Sequence, residues 1–222
     1  MQYTIEEING IIGGKGTLPA PGNKITRLLI DSRSLSFPEE TLFFAIKTRH
    51  GDGHRYIGEL YRRGVRDFVV TQADGIKELK DANFIVVKEC IAALQTLAAH
   101  HRSLFDIPII GITGSDGKTI VKEWLYYLVA ENYNVTRSPR SYNSQIGVPL
   151  SVWQLRKEST LGIFEAGISQ SREMERLQQI IKPTIGIITN ISNAHQENFN
   201  TAEEKCREKL SLFKECDVII YN

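Results

Sequence analysis

At 222 residues the chain is long for one small domain and comfortable for two, since domains usually run about 100–150 residues. Hydrophobic residues at 41% and charged residues at 24% are the proportions of an ordinary globular protein, and a net charge of +1 argues against bulk attraction to nucleic acid or to a membrane surface. The longest apolar runs, such as 107–112, fall far short of the roughly 20 residues that span a bilayer, so no membrane insertion is expected. The start, Met1-Gln-Tyr-Thr-Ile-Glu-Glu, is neither basic nor apolar and does not read as a secretory signal. Cys90, Cys206 and Cys216 lack metal-like spacing and cannot all pair, which predicts a reduced, cytoplasmic setting.

Strand and helix patterns alternate along the chain, without internal repeats. Strands are predicted at 25–30 and 41–46, a helix at 53–63, then strands at 67–71 and 83–87. Residues 90–105 read as an amphipathic helix carrying Ile91, Leu94, Leu97, Ala98 and Leu104 near helical spacing, closed by Asp106-Ile107-Pro108. A buried-looking strand at 108–112 is followed by a helix at 118–131 with apolar positions at 121, 125 and 128/129. Strands at 160–164 and 184–189 flank a helix at about 171–181, and a helix at about 202–213 leads to a strand at 218–221. This alternation predicts an α/β fold with a mainly parallel sheet covered on both faces. The domain boundary is placed near 85–90, giving domains 1–87 and 88–222.

The sharpest local feature is Gly111-Ile-Thr-Gly114-Ser115-Asp116-Gly117-Lys118-Thr119, set where a strand turns into a helix. In that context glycines let backbone N–H groups wrap phosphates while the helix N-terminus adds positive potential. Lys118 then reaches toward phosphate and the Thr119 hydroxyl toward Mg²⁺. The loop is not a strict G-x-x-x-x-G-K-[ST] match, because the first glycine position holds Ile112. A glycine turn before an ordinary helix is the bland alternative. Ligands bind beyond the carboxyl ends of parallel strands, and two further residues fall there: Glu165 in Phe164-Glu-Ala-Gly167, and His195 in Thr189-Asn-Ile-Ser-Asn-Ala-His195. Their oxygen and nitrogen donors suit a metal; each alone reads more often as a surface acid or a loop histidine, but their shared place at the phosphate-loop end of the sheet favours the metal reading. Lys209, in Glu208-Lys-Leu-Ser-Leu-Phe213, reads on its own as a solvated helix lysine.

Taken together, the phosphate loop with Val121-Lys-Glu123, Ile146-Gly-Val-Pro-Leu150, Glu165-Ala-Gly167 and Thr189 to His195 resembles the Mur ligase family. Asp31-Ser-Arg33, Leu42-Phe-Phe-Ala45 and Asp52-Gly-His54 extend the resemblance over essentially the whole chain. It implies a small amino-terminal α/β domain that binds a UDP-sugar, followed by an incomplete phosphate-loop domain that binds ATP. Gly114, Ser115, Asp116, Gly117, Lys118 and Thr119 are then expected to hold ATP, and Thr119 and Glu165 one Mg²⁺. His195 is expected to help hold a second metal, and Lys209 falls where the family carries a carbamylated lysine. Lys118, His195 and Lys209 form the implied catalytic set, and Ser32, Arg33, Lys47, Asp52, Gly53, His54 and Asn143 the implied substrate contacts. The implied substrates are UDP-N-acetylmuramoyl-tripeptide and D-alanyl-D-alanine, joined through an acyl phosphate.

The pattern departs from the family in three ways. Residues 141–145 keep one asparagine, Asn143, where relatives often carry two or three; Asp116 stands where they often have Asn or Ser. The third departure is length, which predicts a piece of a longer ligase, with the rest of the central domain and a carboxyl-terminal domain beyond it. In some bacteria such a ligase is fused to an alanine racemase. A phosphate-loop kinase, a folylpolyglutamate-type ligase, another Mur-type ligase and a nucleotide-binding module without turnover are the competing readings. The amino-terminal Asp-Ser-Arg and Asp-Gly-His pattern speaks against the first two.

Overall fold

The computed structural model describes residues 1–49, 51–72, 78–191 and 201–221. The chain divides into two compact units, Met1–Leu97 and Ala98–Asn222. The division falls inside the helix at Cys90–Ser103, not at the expected 87/88.

In the first unit a short strand, β1 (Tyr3–Thr4), leads directly into α1 (Ile5–Ile12). Thr4 and Glu7 form a reciprocal capping box, and Gly13, at φ 63°, closes the helix in the left-handed region. The expected single strand at 25–30 is two strands. β2 (Lys24–Ile25) pairs antiparallel with β1, while β3 (Arg27–Leu29) joins a parallel sheet. The switch occurs at Thr26, whose N–H is taken by the Glu40 carbonyl at 3.1 Å. That sheet continues through β4 (Thr41–Phe44), β5 (Asp67–Val70) and β6 (Asn83–Val86), in the order β3-β4-β5-β6. The helix expected at 53–63 is a 3-10 turn, Gly53–Tyr56, followed by α2 (Ile57–Arg62). Phe68 anchors the core, stacked on Phe84 at 5.2 Å and edge-on to Phe43 at 6.4 Å. Buried Asp67 accepts from Asn83 at 2.6 Å and from Asn23, and burial pushes its carboxyl above the usual range despite those bonds.

Helix α3 (Cys90–Ser103) runs across the division. Leu94, Leu97 and Ala98 are fully buried as the spacing predicts, but Leu104 is exposed and Phe105 takes the buried place. In the second unit β7 (Ile109–Thr113), α4 (Lys118–Val129), β8 (Val135–Arg137), α5 (Gly147–Val152), β9 (Leu161–Glu165), α6 (Glu173–Ile181), β10 (Ile185–Ile188), α7 (Ala202–Leu210) and β11 (Val218–Ile220) alternate. The five strands are all parallel, in the order β11-β10-β7-β9-β8. Both faces are covered. Ile110, Ile112, Leu161 and Ile163 pack with Val121, Leu125 and Val129 of α4. Ile109 and Phe164 pack on the other face with Val148, Val152, Met174, Leu177 and Phe213. Of the alternatives at 128/129, Val129 packs and Leu128 is exposed. Two-sided burial explains the unbroken apolar run of β7 and places that strand, with the loop at its end, in the middle of the sheet. Among the described residues no helix is long and apolar enough to cross a membrane.

Candidate functional site

The loop after β7 is shaped by two glycines. Gly114 lies at φ 143° and Gly117 at φ 79°, and a Cβ at Gly114 would collide with Thr189 Oγ1 at the end of β10. Gly117 is also the residue before α4 and, as a glycine, supplies no side-chain cap to it. Its first N–H groups have no intrahelical partner and carry the positive end of the dipole, which is an anion site. The loop is braced from β10: Ser115 N–H donates to the Asn190 carbonyl (2.9 Å), Asp116 N–H to Asn190 Oδ1 (2.8 Å), and Thr189 Oγ1 to the Asp116 carbonyl (2.6 Å).

Two ammonium groups meet on the Gly114 carbonyl. Lys118 Nζ donates to it at 2.8 Å and to the Ser115 carbonyl at 3.0 Å, and Lys209 Nζ arrives from α7 at 2.9 Å. Lys209 is therefore no solvated helix lysine; it is 4% exposed. Lys205, one turn earlier on α7, is also buried. Burial, then the charges of Lys118 and Lys205, lowers the Lys209 ammonium to about 8, with Asp116 opposing. Burial likewise lowers Lys118, opposed by Glu165 and Asp116 and reinforced by Lys205. Asp116, exposed on the loop, thus offsets part of the lysine charge.

Glu165, at the end of β9, is fully buried. Thr119 Oγ1 donates to Glu165 Oε2 at 3.0 Å and lies 3.1 Å from Ser141 Oγ, while Lys122 Nζ stands 3.0 Å from Glu165 Oε1. Asn143 packs on the same strand end: its carbonyl accepts from Gly167 N–H at 2.8 Å, and a Cβ on Gly167 would lie 3.1 Å from its side chain. A divalent ion fits this donor set, a buried carboxylate and a hydroxyl already adjacent, both oxygen. Among the described residues no three His, Cys, Asp or Glu converge. His195 lies outside the described residues.

In the first unit the expected substrate contacts sit beyond the carboxyl ends of the parallel strands. After β3, Asp31 caps the turn holding Ser32 and Arg33 and pairs with the exposed Arg33 guanidinium at 2.7 Å. After β4, exposed Lys47 bridges to Asp52 in the backbone, and Asp52 caps His54 N–H at 3.0 Å. His54 Nε2 accepts from Thr71 N–H at 3.1 Å, so its proton sits on Nδ1 and donates to Asp52 Oδ1 at 2.7 Å. Gly53 is required by contact: a Cβ there would lie 2.8 Å from Ile46 N. Arg63 donates to the Ser32 carbonyl at 2.8 Å, tying the first turn to the end of α2.

The sequence reading missed Lys122, Ser138, Ser141, Thr189, Asn190 and Lys205. Thr189 and Asn190 belong to the same motif as His195, whose imidazole is the more conspicuous ligand. Lys205 precedes Lys209 by four residues, the spacing that puts both on one helix face.

The second unit has the central parallel strand, the glycine loop and the following helix of the phosphate-loop α/β class. Within it, residues 112–222, half of the chain, match the Mur ligase middle domain. The chain belongs to the Mur ligase family. Among curated relatives, UDP-N-acetylmuramoyl-tripeptide–D-alanyl-D-alanine ligase of Borreliella burgdorferi is 34% identical over 87% of this chain and 44% of its own length. The enzyme of the same name from Treponema pallidum is 33% identical over 97% of this chain and 48% of its own. The solved structure of MurF from Acinetobacter baumannii superposes with a TM-score of 0.89 at 25% identity, covering 100% of this chain and 49% of that one. MurF ligase from Thermotoga maritima, solved in complex with ADP, gives 0.77 at 26% identity, covering 88% of this chain and 45% of that one. The chain spans about half the length of the curated relatives it matches.

Proposed function

We propose that this chain carries the UDP-sugar-binding and nucleotide-activating parts of a cytoplasmic, ATP-dependent ligase of peptidoglycan precursor synthesis, joining D-alanyl-D-alanine to UDP-N-acetylmuramoyl-tripeptide. The observation that carries this reading is the meeting of Lys118, Lys209 and the glycine loop at the Gly114 carbonyl, beside the Thr119–Glu165 pair. The names of the similar ligases, and the ADP in one of their structures, support the choice of substrates and of ATP. In the reaction, ATP phosphorylates a substrate carboxylate, the amine attacks the acyl phosphate, and phosphate leaves. Negative charge grows on the transferring group, so positioning and electrostatics dominate. Lys118 exchanges its loop carbonyls for phosphate oxygens, the helix N-terminus holds the adjacent phosphate, and Thr119 and Glu165 hold Mg²⁺. His195 contributes to a second metal, Lys209 acts as a carbamate, and Ser32, Arg33, Lys47, Asp52, Gly53, His54 and Asn143 face the UDP-linked substrate.

The test is calorimetry together with a product assay on this chain. Binding of ADP with Mg²⁺ and of the UDP-linked tripeptide is expected, without amide product when ATP and D-alanyl-D-alanine are added, because an amine-binding domain has to close over the site. Failure to bind either nucleotide, or steady phosphorylation of an alcohol, would contradict the assignment.

A further inference from the structure

Lys122, three residues beyond Thr119, is the one fully buried side chain of α4, on a helix that otherwise meets the sheet with half-buried apolar residues. Its ammonium is surrounded by four oxygens. It donates to the carbonyls of Ser138, at 2.8 Å, and Arg140, and it lies 3.0 Å from Glu165 Oε1 and 3.1 Å from Glu123 Oε1. The contact with Glu165 Oε1 is an ion pair without hydrogen-bond direction, and among the described residues that oxygen has no hydrogen-bond partner. The second oxygen, Oε2, takes the Thr119 hydroxyl and lies on the phosphate-loop side. The carboxylate is thereby divided, one oxygen turned to a buried cation and one to the loop. The same ammonium grips the turn from which Ser141 and Asn143 hang, at Arg140, whose φ is 51°.

We propose that Lys122 is a positioning residue that restricts Glu165 to a single metal-facing oxygen and so sets the ion preference of the site toward Mg²⁺ over Ca²⁺. This rests on the reading of Thr119 and Glu165 as the metal-binding pair. Mg²⁺ is small, demands near-octahedral geometry and is content with one carboxylate oxygen plus phosphates and water. Ca²⁺ gathers more oxygens and readily takes both from one carboxylate. A Ca²⁺ ion drawing on both oxygens of Glu165 would have to share Oε1 with the Lys122 charge, and like charges at such range repel strongly in a buried setting.

The experiment titrates this chain, in the presence of ADP, with Mg²⁺ and with Ca²⁺ by calorimetry, and compares Lys122→Met, which keeps the length and removes the charge. A thermal melt checks that the variant is folded. The ratio of the two dissociation constants is expected to move toward Ca²⁺ by about tenfold or more, the size of effect that partners of metal ligands commonly have. Lys122→Arg, which keeps the charge, should stay near the original ratio. A folded Lys122→Met with an unmoved ratio overturns the proposal while leaving the metal pair standing. Binding of neither ion by the unaltered chain overturns the metal pair, and the proposal with it. If Lys122→Met does not fold, a crystal structure of the unaltered chain with ADP and Mg²⁺ decides. One Glu165 oxygen on the metal with Lys122 still at Oε1 supports the proposal, and both oxygens on the metal overturn it.

Discussion

Lys118→Ala is expected to slow ligation by about 100–1,000-fold in a ligase-length protein carrying this chain, the usual cost of removing one preorganised donor to developing charge. Binding of the UDP-linked substrate should be nearly unchanged. Lys118 donates only to carbonyls of its own loop, in the second unit, so its loss breaks no long-range contact among the described residues. The expected UDP-sugar contacts, from Ser32 to His54, lie in the first unit. Parallel measurements of turnover and of UDP-substrate affinity check this. Equal loss of both would make Lys118 a structural residue.

Lys209→Ala is expected to lower ligation by about 10–100-fold, as loss of groups that tune a metal site does. Added acetate should restore part of the activity. An unmodified ammonium beside Mg²⁺ is unfavourable, whereas a carbamate reverses the charge and offers oxygen, the donor Mg²⁺ prefers. Carbamylation needs the neutral amine. With its pKa depressed to about 8, mainly by burial, Lys209 is chiefly neutral above pH 8 and chiefly protonated below it, so the modification should weaken as pH falls through 8. Activity with and without acetate, measured across that range, reads the effect. A variant that keeps normal activity, or one that acetate leaves unchanged, would remove the carbamate from the site.

The architecture of the second unit was legible because its signals are local and strong: a doubly covered strand reads as an apolar run, and Gly114 and Gly117 mark the turn that follows it. Glu165 was legible for the same reason, as a carboxylate ending the apolar strand at 161–165. Lys209 was not. Its burial comes from α7 packing against a loop 95 residues away, and nothing in its own neighbourhood departs from a solvated helix. Lys122 was hidden likewise, since its partners lie on β9 and on the turn after β8, a three-residue strand too short to show alternation. α5 was masked by Pro149, which sits in the first turn, where no intrahelical N–H is lost. α1 was missed although Thr4 and Glu7 carried a readable capping box.

The most direct measurement follows oxygen. The ligase-length protein is given UDP-N-acetylmuramoyl-tripeptide labelled with ¹⁸O in its terminal carboxylate, together with ATP and D-alanyl-D-alanine, and the released phosphate is analysed by mass. Activation as an acyl phosphate passes a carboxylate oxygen to phosphorus, so the expected result is labelled phosphate formed in step with the amide product. Amide formed with unlabelled phosphate, or labelled substrate left intact while ATP is consumed, would contradict it.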